Sequence, residues 1–432
     1  MTAPSRPALR VLGLPSFRWL WAAQICHGAA LWLEVVARPL LVLDLTGSAV
    51  HLGGVLAAAL MPQLVFGLIG GAVADWADRR RVLIVDRIAL ATLYGGFAAL
   101  IASGRLELWH VYAYSVLRGT AMAFDQPARQ ALIPTIVGRL AIMPAFAMMS
   151  ATSNAVRVVF AGAGGVLFGV YGAAGAYAVM AFTSFAAFLC TVRIDVPAHK
   201  PPGAMRVGAM ARGLVEGARF AARTPEVWQT IFMMMVFFAF GMTYMQVFLP
   251  LFARNVLEIG SAGFGALTAL TGAGAVGAAT LIALRPPRRP RRWLPLVIAC
   301  FGAAMAAFTA ATHLEGPLRL WLSLACVAMA GAAQSSVFSL ARPVILAATP
   351  ENMRGRIVSV QSFDRVFLVL GSTAAGWLAS ETGVQNAQLV FATVCIIAGL
   401  LLFAAVRRQA RIGKSPPLSR QALSNSDRGS IG

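Results

Sequence analysis

The sequence predicts an all-α membrane protein of twelve spanning helices, and three observations carry that prediction. Hydrophobic residues make up 59% of the 432 positions and charged residues only 12%, against about 25% charge in an ordinary soluble domain. The deficit is spread evenly, so apolar runs separated by short polar breaks fill the chain from Trp19 to Val406. Each run approaches the roughly 20 residues that a spanning helix needs. Finally, the basic residues fall in alternate breaks, which is the positive-inside pattern.

In order, the predicted spans of the first half are 19–43, 52–74, 82–103, 107–124, 143–170 and 174–193. Those of the second are 227–252, 262–284, 293–312, 317–340, 357–380 and 386–406. Arg6, Arg10 and Arg18 precede the first run, which is too long for a signal peptide and lacks an A-x-A-like cut, so it reads as an uncleaved span. With both termini cytoplasmic, 30 of the 36 basic residues lie on the cytoplasmic side. Arg79, Arg80, Arg81 and Arg87 after the second span are counted there. Only Arg105, Arg254 and Arg319 lie opposite, and Arg38, Arg118 and Arg157 fall within spans.

The break at 194–226 divides the chain into an N-terminal bundle, 1–193, and a C-terminal bundle, 227–408. It begins with Pro197, Pro201 and Pro202. It then places Arg212, Glu216, Arg219 and Arg223 on one helical face, fitting either an interfacial or a solvated linker helix. The tail, 409–432, is polar and expected to be disordered. Two echoes suggest duplication. Ala128-Arg129 recurs as Ala341-Arg342, and Asn154-Ala155-Val156-Arg157 as Ser362-Phe363-Asp364-Arg365, at offsets of 213 and 208. A parallel six-span repeat is a transporter arrangement.

Several classes are excluded. The net charge of +20 would suggest nucleic acid in a soluble protein. Here the charge marks topology, and no basic stretch interleaves with aromatics as a nucleic-acid groove would. The five cysteines sit inside apolar runs without metal spacing, and the five histidines are scattered. No cofactor, metal or catalytic residue is implied. A lipid-modifying enzyme would want clustered His, Asp or Glu at a membrane edge, and none appears. Gly272-Ala273-Gly274-Ala275-Val276-Gly277 matches G-x-G-x-x-G inside a span without a preceding strand, so helix packing explains it. Gly413-Lys414-Ser415 lies in the tail with Arg408 where a phosphate loop has glycine.

The sharpest local signal follows the second span: Gly70-Gly71-Ala72-Val73-Ala74-Asp75-Trp76-Ala77-Asp78-Arg79-Arg80-Arg81. It resembles the G-x-x-x-D-R-x-G-R-R loop of the major facilitator superfamily. It is most similar to the G-G-x-x-A-D-R-x-D-R-R-R variant of the enterobactin-exporter and macrolide-efflux branch. Asp44-Leu45-Thr46-Gly47-Ser48, Phe124-Asp125-Gln126-Pro127-Ala128-Arg129-Gln130 and Arg354-Gly355-Arg356 resemble further pieces in the same order. The resemblance runs from about Phe17 to Val406 and implies the major facilitator fold, two six-helix pseudo-repeats working by alternating access. It implies export of a small amphipathic molecule, siderophore- or drug-like, by proton antiport, with uptake by symport as the alternative. The implied partners are that small molecule, protons and a bacterial inner membrane with anionic lipids, and the chain is expected to act as a monomer.

The resemblance assigns Gly71, Asp75, Asp78, Arg79, Arg80, Asp125 and Arg129 to a gating motif, with Asp125 as partner of Arg79. The alternative is that Arg79–Arg81 only fix topology against anionic headgroups. The family's Arg after the Asp is replaced by Trp76, and Phe160-Ala161 stand where related exporters often carry Gly-Pro.

Within the spans, Glu34 is read as the one acid placed well inside. A charge at that depth costs roughly 2.5–3.5 kcal/mol on insertion scales and is a functional candidate by default. Glu34 is either a proton or substrate site or a neutralising i,i+4 pair with Arg38, and the two are compatible. The branch often has an Asp one turn earlier, where Leu31 stands. Arg118 either snorkels to the cytoplasmic edge or faces the cavity, and Arg157, resembling a common Arg of the branch, is read as structural. The seventh span carries Met234, Phe237 and Tyr244 in a run whose Met and Phe surface either repacks around apolar ligands or packs the bundle. With Gln334 and Arg118 these make the expected substrate cavity, whose excess of arginine favours anionic over cationic cargo.

Overall fold

The computed structural model describes residues 11–138, 141–196, 207–350, 353–361 and 363–412. Within them, the side chains of 68–76, 207–214, 354, 355, 358, 359 and 410–412 lie outside the description. The described residues are almost wholly helical, with no strand. A bilayer forces this, because a backbone in hydrocarbon must satisfy its own N–H and C=O groups.

The first half holds α1 (Pro15–Thr46), α2 (Ala49–Trp76), α3 (Arg79–Ala102), α4 (Leu108–Val137) and α5 (Ile142–Val192). Helix α5 is two spans run together. The backbone breaks at Gly172, with φ 66° and ψ −173°, a conformation that only glycine adopts cheaply. The linker contributes α6 (Val207–Arg223). The seventh span is composite: α7 (Pro225–Val236), π turns at Phe237–Gly241 and Tyr244–Phe248, then α8 (Leu249–Asn255). The second half continues with α9 (Gly260–Leu284), α10 (Pro290–Ala311), α11 (Pro317–Ala347), α12 (Arg354–Gln361), α13 (Asp364–Thr382) and α14 (Val384–Ile412).

Eight helical stretches are long and apolar enough to cross a bilayer, among them the doubled α5. Helices α1, α4 and α13 complete twelve crossings, and each carries buried charge. Short polar turns at Gly47, Gly104 and Gly316 reverse the chain with positive φ. The start of α3 is capped by Asp78, whose carboxylate accepts from the backbone N–H groups of Arg80 and Arg81. A capping carboxylate is worth about 1 kcal/mol.

Within each half the helices pack closely, α1 on α5, α2 on α4 and α3 on α5, then α9 on α11 and α10 on α14. The halves meet through α2 on α13 and α5 on α9. Both contacts lie at the end remote from the arginine-rich loops. There a Cβ on Gly265 would sit 2.9 Å from the Gly162 carbonyl oxygen, and one on Gly53 would strike the Ser372 carbonyl. Small residues thus let the backbones touch, as membrane helix interfaces require. An ion pair between Arg254 and Asp44, 2.8 Å, ties the halves at the same end. Helix α6 rests on the second half, where Ala221 and Phe220 join Val227, Ile231, Ile345 and Ile357 in a separate apolar cluster. Arg356 pairs there with Glu216 of α6.

Candidate functional site

Because the close helix-to-helix seams between the halves lie at the remote end, a cavity of about 1130 Å³ opens between them. Its walls come from the arginine-rich ends and middles of α1, α2, α4, α5, the seventh span, α11 and α13. Of the residues expected there, Met234 and Gln334 line it.

Three of the expected cavity residues do not. Phe237 is fully buried against Phe301, with ring centroids 5.2 Å apart. Tyr244 packs on Phe301 and Phe308 of α10. The reason is the helical period. Phe238, four residues after Met234, shares its face, and Met242, Met245 and Gln246 continue it along the cavity, while Phe237 and Tyr244 turn toward α10.

Arg118 is the third. It neither snorkels nor lines the cavity. It is buried, and its Nε lies 2.6 Å from Glu34 Oε2. Glu34 itself is 1% exposed, receives the Tyr94 hydroxyl at 3.3 Å, and has Arg38 Nη1 at 3.5 Å from Oε1. The expected i,i+4 pair therefore exists as part of a larger cluster of one carboxylate and two guanidiniums. An aromatic shell of Tyr94, Phe97, Tyr114 and Tyr177 surrounds it, with Phe97 stacked on Tyr114 at 4.3 Å. One link joins this cluster to the cavity: Arg38 Nη2 donates to Gln246 Oε1, 3.2 Å, and Gln246 lines the wall.

A second buried cluster lies nearer the arginine-rich end. Asp125, 0% exposed, is paired with Arg87 and accepts from Arg129 Nε at 3.4 Å, and His27 Nε2 approaches it at 3.6 Å. Arg87 also holds Asp86 at 2.6 Å. This corrects three expectations. Arg87 is not a loop residue but lies eight residues into α3, about 12 Å along its axis. Glu34 is not the one acid within the spans, since Asp86 and Asp125 are buried too. Asp125 takes Arg87 and Arg129 rather than serving Arg79.

Arg79 instead donates to the Ala131 carbonyl, 3.1 Å, and to Thr135 Oγ1, 3.2 Å, both on α4. Arg80 donates to the Val192 carbonyl at the end of α5, 2.6 Å. These bonds clamp the start of α3 onto its own half. Gly71 and Asp75, the other members of the expected gate, have side chains outside the described residues.

Arg157, read from sequence as structural, stands on the cavity wall. So do Arg365, its counterpart in the second half, and Arg342, the counterpart of Arg129. Arg365 Nη1 reaches across to the Gln63 carbonyl of the first half at 3.5 Å. The internal echo of Arg157 in Arg365 was the one signal that pointed to this pair. His27, Asp86 and Arg87 carried no such mark. Among the described residues no group of acids, histidines and cysteines is arranged to hold a metal ion.

The comparisons with known proteins agree with this fold. The model of a family described as transmembrane secretion effector matches residues 8–423. The multidrug efflux pump Tap of Mycolicibacterium fortuitum is 27% identical over 391 residues, covering 88% of this chain and 93% of that protein. The enterobactin exporter EntS of Escherichia coli O1:K1 / APEC is 27% identical over 414 residues, covering 93% and 94%. Among solved structures, the POT-family transporter PepTSo superposes with TM-score 0.72 at 14% identity, covering 92% of this chain and 98% of that one. A bacterial homolog of the lysosomal transporter Spinster, inward-facing and unoccupied, gives 0.69 at 16% identity, covering 94% and 98%.

Proposed function

Because the chain belongs to the transmembrane secretion effector family of the major facilitator superfamily, a family of transporters and not of enzymes, we propose that it exports a small amphipathic molecule, neutral or anionic, by alternating access coupled to proton antiport. The observation that carries this reading is the cavity of about 1130 Å³ between the halves, joined by the Arg38–Gln246 bond to the buried Glu34 cluster. The cavity matches a ligand of drug size, for which pockets of about 300–1,000 Å³ are usual. Met234, Met242 and Met245 offer it a soft apolar wall, and Arg157, Arg342 and Arg365 against Asp364 give that wall positive charge. Two relatives, 27% identical, are named as exporters, one of enterobactin and one of many drugs.

The test is flux in proteoliposomes under an imposed pH gradient. Naphthalenesulfonate and trimethylnaphthylammonium share an apolar body and differ in fixed charge. The anion should move uphill against the direction of proton flow, and a protonophore should stop it. Movement with the protons would identify a symporter. Gradient-driven movement of the cation alone would overturn the charge argument.

The same reading places the protein as a monomer in a bacterial inner membrane, with both termini and the arginine-rich loops cytoplasmic. The cavity then opens to the cytoplasm, ready to load cargo for export. Arg288→Cys and Arg319→Cys variants check this orientation, because the two loops should face opposite sides. An impermeant thiol reagent applied to intact cells should label only the Arg319→Cys protein. Equal labelling of both would break the topology.

A further inference from the structure

Arg157, half-buried on the cavity wall, differs from the buried arginines of its half. Arg38 and Arg118 share Glu34, and Arg87 holds Asp86 and Asp125. Arg157 has only neutral neighbours. Its Nη2 donates to Gln334 Oε1 at 3.3 Å and approaches Met245 Sδ at 3.7 Å, and its guanidinium carbon stands 4.8 Å over the Trp32 ring. Its Nε is buried without a partner. Among the described residues no carboxylate pairs with it. A guanidinium near mid-span without a counter-charge is costly, and a cost of that kind is retained where a ligand supplies the missing charge.

The surroundings define that ligand. Both arginine contacts come from the second half, while Arg157 and Trp32 belong to the first, so the group sits at the seam between the bundles. Asn154, one turn before Arg157, and Gln334 put amides on the same cavity wall. The indole offers an aromatic face, and Met242 and Met245 offer polarizable apolar contact. The other wall arginines are less suited. Arg342 is exposed to water, and Arg365 is adjacent to Asp364 and engaged with Gln63.

We propose that Arg157 is the anchor of a substrate subsite for an oxyanion carried on an aromatic body. The planar guanidinium pairs with two oxygens of a carboxylate or sulfonate, the aromatic body lies against Trp32, and Gln334 releases its hold as the anion takes its place. Binding there also changes a contact between the halves, because the anion takes the place of an Arg157–Gln334 bond that now bridges them. This rests on the transport reading above and adds the class of cargo and the residue that selects it.

Equilibrium binding tests it on the full-length protein in zwitterionic nanodiscs, with no gradient present. The probes are naphthalenesulfonate and its neutral isostere naphthalenesulfonamide. A charge-assisted, forked contact should make the wild type prefer the sulfonate by about ten- to a hundredfold. Arg157→Gln should erase that preference by weakening the sulfonate while leaving the sulfonamide unchanged. Arg157→Lys keeps the charge but loses the fork, so its sulfonate affinity should fall between the two. Equal affinity for both probes in the wild type, or wild-type preference in either variant, overturns the proposal. Should the glutamine variant fail to fold, the lysine variant and the wild-type comparison still decide. Charge-selective binding without gradient-driven flux would sustain the anchor and sink antiport. Flux without charge-selective binding would do the reverse.

Discussion

Glu34→Gln is expected to abolish uphill transport driven by a pH gradient while downhill exchange of the same cargo continues. The carboxylate has two guanidiniums, Arg118 at 2.6 Å and Arg38 at 3.5 Å, and one hydroxyl, Tyr94 at 3.3 Å. Amide and protonated acid are alike in shape and charge, so the variant imitates the proton-loaded state. Loading a proton removes the only negative charge within reach of both arginines in that cluster. In a low-dielectric interior the attraction lost is large. Arg38 is then held chiefly by Gln246, which lines the cavity. Proton arrival on one side of α1 is thereby felt on the cargo side. A variant fixed in the loaded state can bind and exchange but cannot complete a proton cycle. Normal pH-driven accumulation by the Glu34→Gln protein would exclude Glu34 as the coupling group. Arg38→Gln supplies the companion measurement, since it should weaken coupling with Glu34 intact.

Asp125→Ala is expected to destabilise the protein by about 3–5 kcal/mol, the usual cost of removing one partner of a buried ion pair. The side chain is 0% exposed and serves Arg87, Arg129 and His27 together. With Asp86 the cluster balances two acids against two arginines. Removing Asp125 leaves Arg87, itself 2% exposed, with Asp86 alone. The loss should appear as a lower midpoint of thermal inactivation in detergent. The triple variant Asp125→Leu with Arg87→Met and Asp86→Asn should regain most of it, because Arg87 then leaves together with both of its counter-charges. A single variant as heat-stable as the wild type would mean that the cluster contributes nothing to the fold. A triple variant no better than the single would place the cost in lost packing instead of charge.

The two clusters also separate two roles that the sequence blended. Arg79 and Arg80 bond to α4 and to the end of α5 within their own half. In this conformation, with the cavity reaching the arginine-rich end, these described bonds stay inside one bundle. The close seams between the halves are instead the glycine contacts and the Arg254–Asp44 pair at the opposite end, with the Arg38–Gln246, Arg157–Gln334 and Arg365–Gln63 bonds crossing along the cavity.

The sequence by itself determined the membrane class, the twelve helices, the two halves and the sign of the charge at each end. It could do so because a bilayer imposes length, and because arginine is costly to carry across it. It also marked Glu34, since a lone acid deep in an apolar run has few innocent explanations. It did not decide which way a residue faces. A span that is apolar all round has no polar stripe to orient it, and lipid is as apolar as the bundle core. Phe237 and Phe238 are neighbours in the chain, yet one is buried among aromatics and the other lines the cavity, because successive residues of a helix point about 100° apart and the sequence does not say which direction faces the cavity. The ends of spans were similarly ambiguous. Asp86, Arg87 and Asp125 lie where an error of two turns, about 11 Å, separates a loop from the bundle interior. Only the packing of α1, α3 and α4 brings them together with His27. Arg157 depended most on the tertiary structure. Whether a buried arginine is structural or waits for an anion is set by the presence of a carboxylate within reach, and that carboxylate would have to come from another helix.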